Sequence, residues 1–233
     1  MTDSQKGSDD GRGAEKVSGR LVDRLWRELG RQLRCPTGVA GSIVGQLMAT
    51  LNERPNRLAI DALEVAFDDK ILELGFGPGK SLEALVKRAP GGEVHGIDKS
   101  ERMLKLAMRK NRAAIASGRM HLALGRFSPL PWCDAAFSKI LLVNVVYFFD
   151  LEGRDISEVY RVLRPGGRVV VYATDRSIMA KWPFAGPETH RTFDATSLSG
   201  LLEGVGFARS GISIERVRLP FGIEGMVAVA SKP

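Results

Sequence analysis

Apolar positions along this chain change their period near residue 68. Before it, Leu21, Leu25, Trp26, Leu29 and Leu33 recur at helical spacing. Arg20, Arg24, Arg27, Arg31 and Arg34 lie largely off that stripe, so residues 20–34 are expected to form a basic amphipathic helix. After the break at "CPTG", a second helical pattern runs through "AGSIVGQLMATLNERPNRLAIDALEV", with a split near Asn52 to Pro55. Beyond Asp68 short β-rich runs alternate with helical patterns, each join marked by Gly, Pro or Asp. Strands are expected over Lys70 to Leu74, Glu93 to Ile97, His121 to Leu124, Lys139 to Val143, Arg168 to Ala173, Gly211 to Val217 and Met226 to Ala230. Helices are expected over Lys80 to Arg88, Ser100 to Ser117, Asp155 to Leu163 and Thr196 to Val205. Such alternation implies an α/β architecture with a mostly parallel sheet covered on both faces. The last two strands lack an intervening helix and are expected to pair antiparallel at an edge. The chain therefore divides into a flexible polar tail over residues 1–18, a helical lid or extension over 19–67, and an α/β domain over 68–233.

Composition narrows the class. At 233 residues, 44% hydrophobic and 26% charged, the chain suits one sizeable soluble domain. No apolar run approaches the roughly 20 residues that cross a bilayer. The first residues, "MTDSQKGSDDGRGAEK", are polar where a signal peptide needs an apolar stretch, so a cytoplasmic location is expected. Cys35 and Cys133 have neither a CxxC nor a Cys/His ligand spacing, which reads as free thiols and no metal site. The formal charge of +7 comes from basic residues scattered among carboxylates, as on solvated helix surfaces.

The stretch "ILELGFGPGK" carries the first chemistry. Gly75, Gly77 and Gly79 let the backbone turn sharply and approach a ligand at the carboxyl end of the first strand. A GxGxxG dinucleotide fingerprint fails at Lys80, and a P-loop fails at Leu74. Glu73, at the strand tip, is a poor neighbour for a pyrophosphate and a good one for a cationic ammonium. Asp98 ends the second strand, where a carboxylate accepts from both hydroxyls of a ribose; the alternative is that Glu73 caps or pairs locally and Asp98 caps the next helix, which Ser100 could also do. A ribose and an ammonium together describe S-adenosylmethionine better than NAD or ATP.

"ILELGFGPGKS", "VHGIDKSERMLKLA", "LPWCDAAFSKILLVNVVYFF" and "EVYRVLRPGGRVVV" together resemble the class I S-adenosylmethionine-dependent methyltransferases, particularly the small-molecule group with the ubiquinone and menaquinone C-methyltransferases. The resemblance spans about Asp68 to Phe207. It implies a Rossmann-like seven-stranded sheet of order 3-2-1-4-5-7-6, strand 7 antiparallel, with S-adenosyl-L-methionine across the carboxyl ends of the first strands. It places Glu73, Gly75 and Gly77, with Gly79 in the same turn, at the methionine end, Asp98 at the ribose, Lys99 and Met103 on the adenine side, and Asn144 facing the methyl-transfer site. Two departures stand out. Where the family often has Gly-Asp-Ala, this chain has Gly125, Arg126 and Phe127, so the adenine contact falls to backbone groups and to packing by Arg126 or Phe127. The usual Phe-Asp opening the fourth strand is Phe137-Ser138.

Methyl transfer from a sulfonium is expected to proceed as an in-line displacement onto an O, N, S or C nucleophile of a small molecule, and chiefly requires alignment. A base is needed only for a protonated acceptor. His95 and His121 lie in strands and read as structural. His190, in the long connection after the fifth strand, and Tyr147, just past Asn144, are the candidates for substrate-site or catalytic roles. Nucleic acid is not the expected partner, because the [DN]PP[YF] turn of enzymes methylating exocyclic amino groups is replaced by "NVVYF". Two alternatives accompany this reading: a lipid or quinone methyltransferase in peripheral membrane contact through helix 20–34, and a non-catalytic cofactor-binding protein.

Overall fold

The structure is a computed structural model and describes residues 25–33, 52–187 and 189–233. The predicted tail, both ends of the basic helix and the second helical pattern up to residue 51 lie outside the described residues. Residues 25–33 are helical (α1). Seven strands follow: β1 Lys70–Leu74, β2 Glu93–Asp98, β3 Met120–Leu124, β4 Phe137–Val143, β5 Leu163–Thr174, β6 Ile212–Arg218 and β7 Glu224–Ser231. They form one sheet of order β3-β2-β1-β4-β5-β7-β6. All neighbours are parallel up to β5, and β7 runs antiparallel to both β5 and β6. The expected order and the antiparallel pairing are both found.

Helices cover both faces. On one, α2 (Glu53–Ala62), α3 (Lys80–Arg88) and α4 (Glu101–Lys110) pack Ala59, Ile60, Leu82, Leu85 and Ala107 against Ile71, Leu141, Val143 and Val170. On the other, α6 (Arg154–Val162) and α8 (Ala195–Glu203) pack Ile156, Val159, Leu198 and Leu202 against Leu72, Leu74, Leu142 and Val171. The short α5 (Arg112–Ala116) and α7 (Arg176–Met179) complete the set. Successive strand residues alternate between the two cores, which is why β1 is buried at four of five positions and why its one buried polar residue, Glu73, stands out.

The helix expected over Ser100 to Ser117 is in fact two. Buried Asn111 breaks it, and its amide Nδ2 donates to the carbonyls of Gly79 and Ala107 at 3.0 Å each. That bond ties α4 to the glycine turn. Ser138, where the family pattern has an acid, is fully buried and exchanges two hydrogen bonds with the Lys70 main chain, so it anchors the first residue of β1 to β4.

Candidate active site

A cavity of about 720 Å³ opens across the carboxyl ends of β1, β2, β4 and β5. Ten of the twelve residues expected from sequence line it: Glu73, Gly75, Gly77, Asp98, Lys99, Met103, Phe127, Asn144, Tyr147 and His190. Gly79 and Arg126 do not. Gly79 is the left-handed residue before α3, φ 79°, and a Cβ there would sit 2.7 Å from Ala107 Cβ, so its role is to let α4 approach the turn. Arg126 is exposed, whereas its neighbour Phe127 is 2% exposed and carries the Lys99 ammonium 4.2 Å above its ring. The apolar wall expected on the adenine side is therefore Phe127 with Met103.

Glu73 is 2% exposed. Its Oε1 accepts from Ser81 Oγ at 2.6 Å, and its Oε2 is buried with no partner. Burial, with the Asp98 charge adding to it, raises its pKa from 4.5 to about 8. Glu73 lines the cavity, and a carboxylate there is the complement of an ammonium group. Asp98 is 8% exposed; its Oδ2 accepts from Gly77 N at 2.9 Å and its Oδ1 from Ser100 N at 2.8 Å. Burial lifts it to about 6, against those backbone donors. Asp98 thus pins the glycine turn to the end of β2, and the N-cap of α4 is Ser100, whose Oγ accepts from Met103 N. At Gly77, φ 52°, a Cβ would meet nothing within 4 Å, which leaves main chain open to a ligand. Donors, acceptors and open backbone in this arrangement fit an amino-acid head joined to a ribose.

The opposite wall is built around Asn144, a non-glycine residue at φ 52°. Three bonds hold it there: its N–H donates to Tyr172 O, its Nδ2 to Asn52 Oδ1 at 2.9 Å, and its Oδ1 accepts from Tyr147 OH at 2.8 Å. Tyr147 OH in turn accepts from Thr174 N. The phenol is fully committed and burial raises its pKa, so the geometry makes Tyr147 a positioning residue, not a base. Tyr147→Phe is expected to destabilise the fold by about 1–3 kcal/mol, because the Thr174 amide loses its buried acceptor. Thermal unfolding checks it; an unchanged midpoint would show that the network carries no stability.

Sequence reasoning did not find Asn52 or Ser81. Asn52 sits 92 positions from Asn144, at the start of α2, and no local pattern links them. Ser81 had a signal in the "GKS" that closes the turn; Lys80 beside it pairs with Glu53 at 3.0 Å. His190, 5% exposed, packs against the rings of Phe148 (4.9 Å) and Phe184 (6.2 Å), with Nδ1 2.9 Å from Thr189 Oγ1. Trp182 and Phe184 are stacked at 5.4 Å beside it. Leu33 at the end of α1 also lines the cavity.

The chain is similar to known proteins in sequence and in fold. Residues 71–167 match the family described as Methyltransferase domain. The chain is 29% identical over 191 residues to the uncharacterized methyltransferase YdaC of Bacillus subtilis, covering 82% of this chain and 98% of that protein. It is 41% identical over 120 residues to a demethylmenaquinone methyltransferase of Thermus thermophilus, covering 51% and 53% of the two chains, so it spans about half the length of that relative. Among solved structures, an S-adenosylmethionine-dependent methyltransferase of Methanosarcina mazei superposes with a TM-score of 0.58 at 25% identity, covering 74% of this chain and 96% of that one. The matched domain, the relatives and the strand order converge, and the chain is a class I S-adenosylmethionine-dependent methyltransferase.

Proposed function

We propose that the methyl acceptor is a small molecule with an apolar, planar part, seated between the cofactor end of the cavity and the wall of Phe148, Trp182, Phe184 and His190. The observation that carries this reading is the division of one cavity into two chemistries. Buried carboxyls Glu73 and Asp98 stand at one end, and a stacked aromatic pair with an imidazole at the other. S-adenosylmethionine, when bound, supplies a methyl group already activated by the sulfonium charge, so an in-line displacement asks the chain mainly for alignment. Glu73 and Asp98 hold the donor, Ser81 orients Glu73, and Tyr147 orients Asn144 beside the point of transfer. For an acceptor that arrives protonated, His190 is the imidazole on the cavity wall and takes the proton; His95 and His121 do not line the cavity.

A second reading has its own observation. Leu25 is 62% and Trp26 37% exposed on α1, beside exposed Arg27 and Arg31, and Phe221 at the cavity rim is 94% exposed. Such a surface suits an interface where the acceptor is delivered from lipid. Among the described residues no helix is long and apolar enough to cross a membrane. One experiment addresses both readings: a panel of thiol, phenol, amine and quinol acceptors with labelled S-adenosylmethionine, offered in solution and in anionic vesicles. Transfer to a planar phenol or quinol in solution is expected. Transfer only from vesicles would favour the membrane reading, and transfer only to aliphatic amines or thiols would defeat the planar acceptor.

A further inference from the structure

Away from the donor pocket, three side chains of metal-binding types meet on the sheet. Glu93 and His95 are two positions apart on β2 and share a face. His121 is the register partner of His95 on β3, so it shares that face too. His95 Nε2 lies 3.1 Å from Glu93 Oε2, the two imidazole rings stack at 4.7 Å, and one ligand atom from each of the three residues lies within 4.8 Å of the others. His95 is 7% exposed and fixed edge-on against Trp132 (5.9 Å) and Phe137 (5.2 Å), while Glu93 and His121 are exposed.

We infer that Glu93, His95 and His121 form a binding site for a divalent transition metal ion of the zinc class. Two imidazoles and a carboxylate are a ligand set for such an ion, with water in the remaining position. Bonds of 2.0–2.1 Å in a tetrahedron place neighbouring ligand atoms about 3.3–3.4 Å apart. The observed separation of 3.1 Å between Nε2 and Oε2 is already close to that. His95 is held by its aromatic neighbours, and exposed His121 has room to turn its ring toward the ion. The competitor is Lys70, whose ammonium is 3.3 Å from Glu93 Oε2. Both partners are nearly half exposed, and a surface pair of this kind is worth only about 0–1 kcal/mol, too little to keep a coordinating ion out.

On β2, His95 is three positions and Glu93 five positions before Asp98, so the site lies about 10–17 Å along the strand from the donor pocket. The ion takes no part in methyl transfer; it clamps β3, the edge strand, to β2. The test titrates chelator-treated protein with Zn2+ alone. One equivalent is expected to bind, with a rise in thermal midpoint. His121→Ala weakens binding at least about tenfold, the scale on which even outer partners of a metal affect affinity. Glu93→Gln gives a second reading should His121→Ala not fold. His190→Ala and the double variant Cys35→Ser/Cys133→Ser, which remove the third histidine and both thiols, leave binding unchanged. No uptake by the parent chain, undiminished uptake by folded His121→Ala and Glu93→Gln, or loss of uptake only in the thiol variant would overturn the assignment.

Discussion

Glu73→Gln weakens S-adenosylmethionine binding by roughly 1.5–3 kcal/mol, the worth of a hydrogen bond to a charged group, and at the same time makes the ligand-free enzyme more resistant to alkaline pH. Both effects follow from one buried carboxyl whose Oε2 has no partner. Its folded pKa of about 8 lies above the ordinary 4.5. A group raised in this direction contributes stability that is fully present below pH 4.5 and is lost progressively as pH rises through about 8. Between those two values the ligand-free fold loses about 1.4 kcal/mol per pH unit, and above about 8, where the carboxyl is ionised in folded and unfolded chains alike, the loss stays constant. Glutamine cannot ionise, so the variant's midpoint gains on the parent's by about 3–6 °C per pH unit as pH rises toward 8, and it keeps that lead above 8. Binding a cationic ammonium reverses the balance, because only the carboxylate complements it. At pH 7 the parent therefore releases close to one proton per cofactor bound, and its affinity rises by up to about tenfold per pH unit from pH 6 before levelling near 8. Calorimetry in buffers of different ionisation enthalpy counts that proton. Equal proton release by the glutamine variant would show that another group faces the ammonium.

The legible parts of this molecule are those whose cause is local. Strand β1 and helix α3 could be read to the residue, because the apolar run stops at Gly75 and the helical period starts after Gly79. Glu73 and Asp98 were legible as polar residues at strand tips, where an otherwise buried pattern has no place for them. What was not legible depends on register between distant segments. The break at Asn111 arises because that side chain serves Gly79, 32 positions away. The Asn52 to Asn144 bond and the stack of His95 on His121 likewise exist only once strands and helices are assembled. Arg126 and Phe127 were equivalent candidates in sequence; adjacent residues point to opposite sides, and the core took the phenylalanine.

Asp98→Ala is expected to lower affinity for both S-adenosylmethionine and S-adenosylhomocysteine by roughly 1.5–3 kcal/mol, about 10- to 150-fold. Equal loss for donor and product is the signature, since the two share the ribose and differ at sulfur. The structure adds a cause that strand-tip position alone did not contain. Asp98 accepts from Gly77 N with one oxygen and from Ser100 N with the other, so its removal loosens the glycine turn as well as the ribose contact. For the same reason asparagine is not a conservative replacement. Whichever way its amide is turned, the NH2 group faces a main-chain N–H, and one of the two acceptors is lost to a donor facing a donor. Asp98→Asn should therefore fall close to Asp98→Ala and far from the parent. Calorimetric titration with S-adenosylhomocysteine decides the matter on folded protein. An asparagine variant with parental affinity would mean that the carboxylate charge and its two acceptors are dispensable, and that the ribose is held elsewhere on the cavity wall.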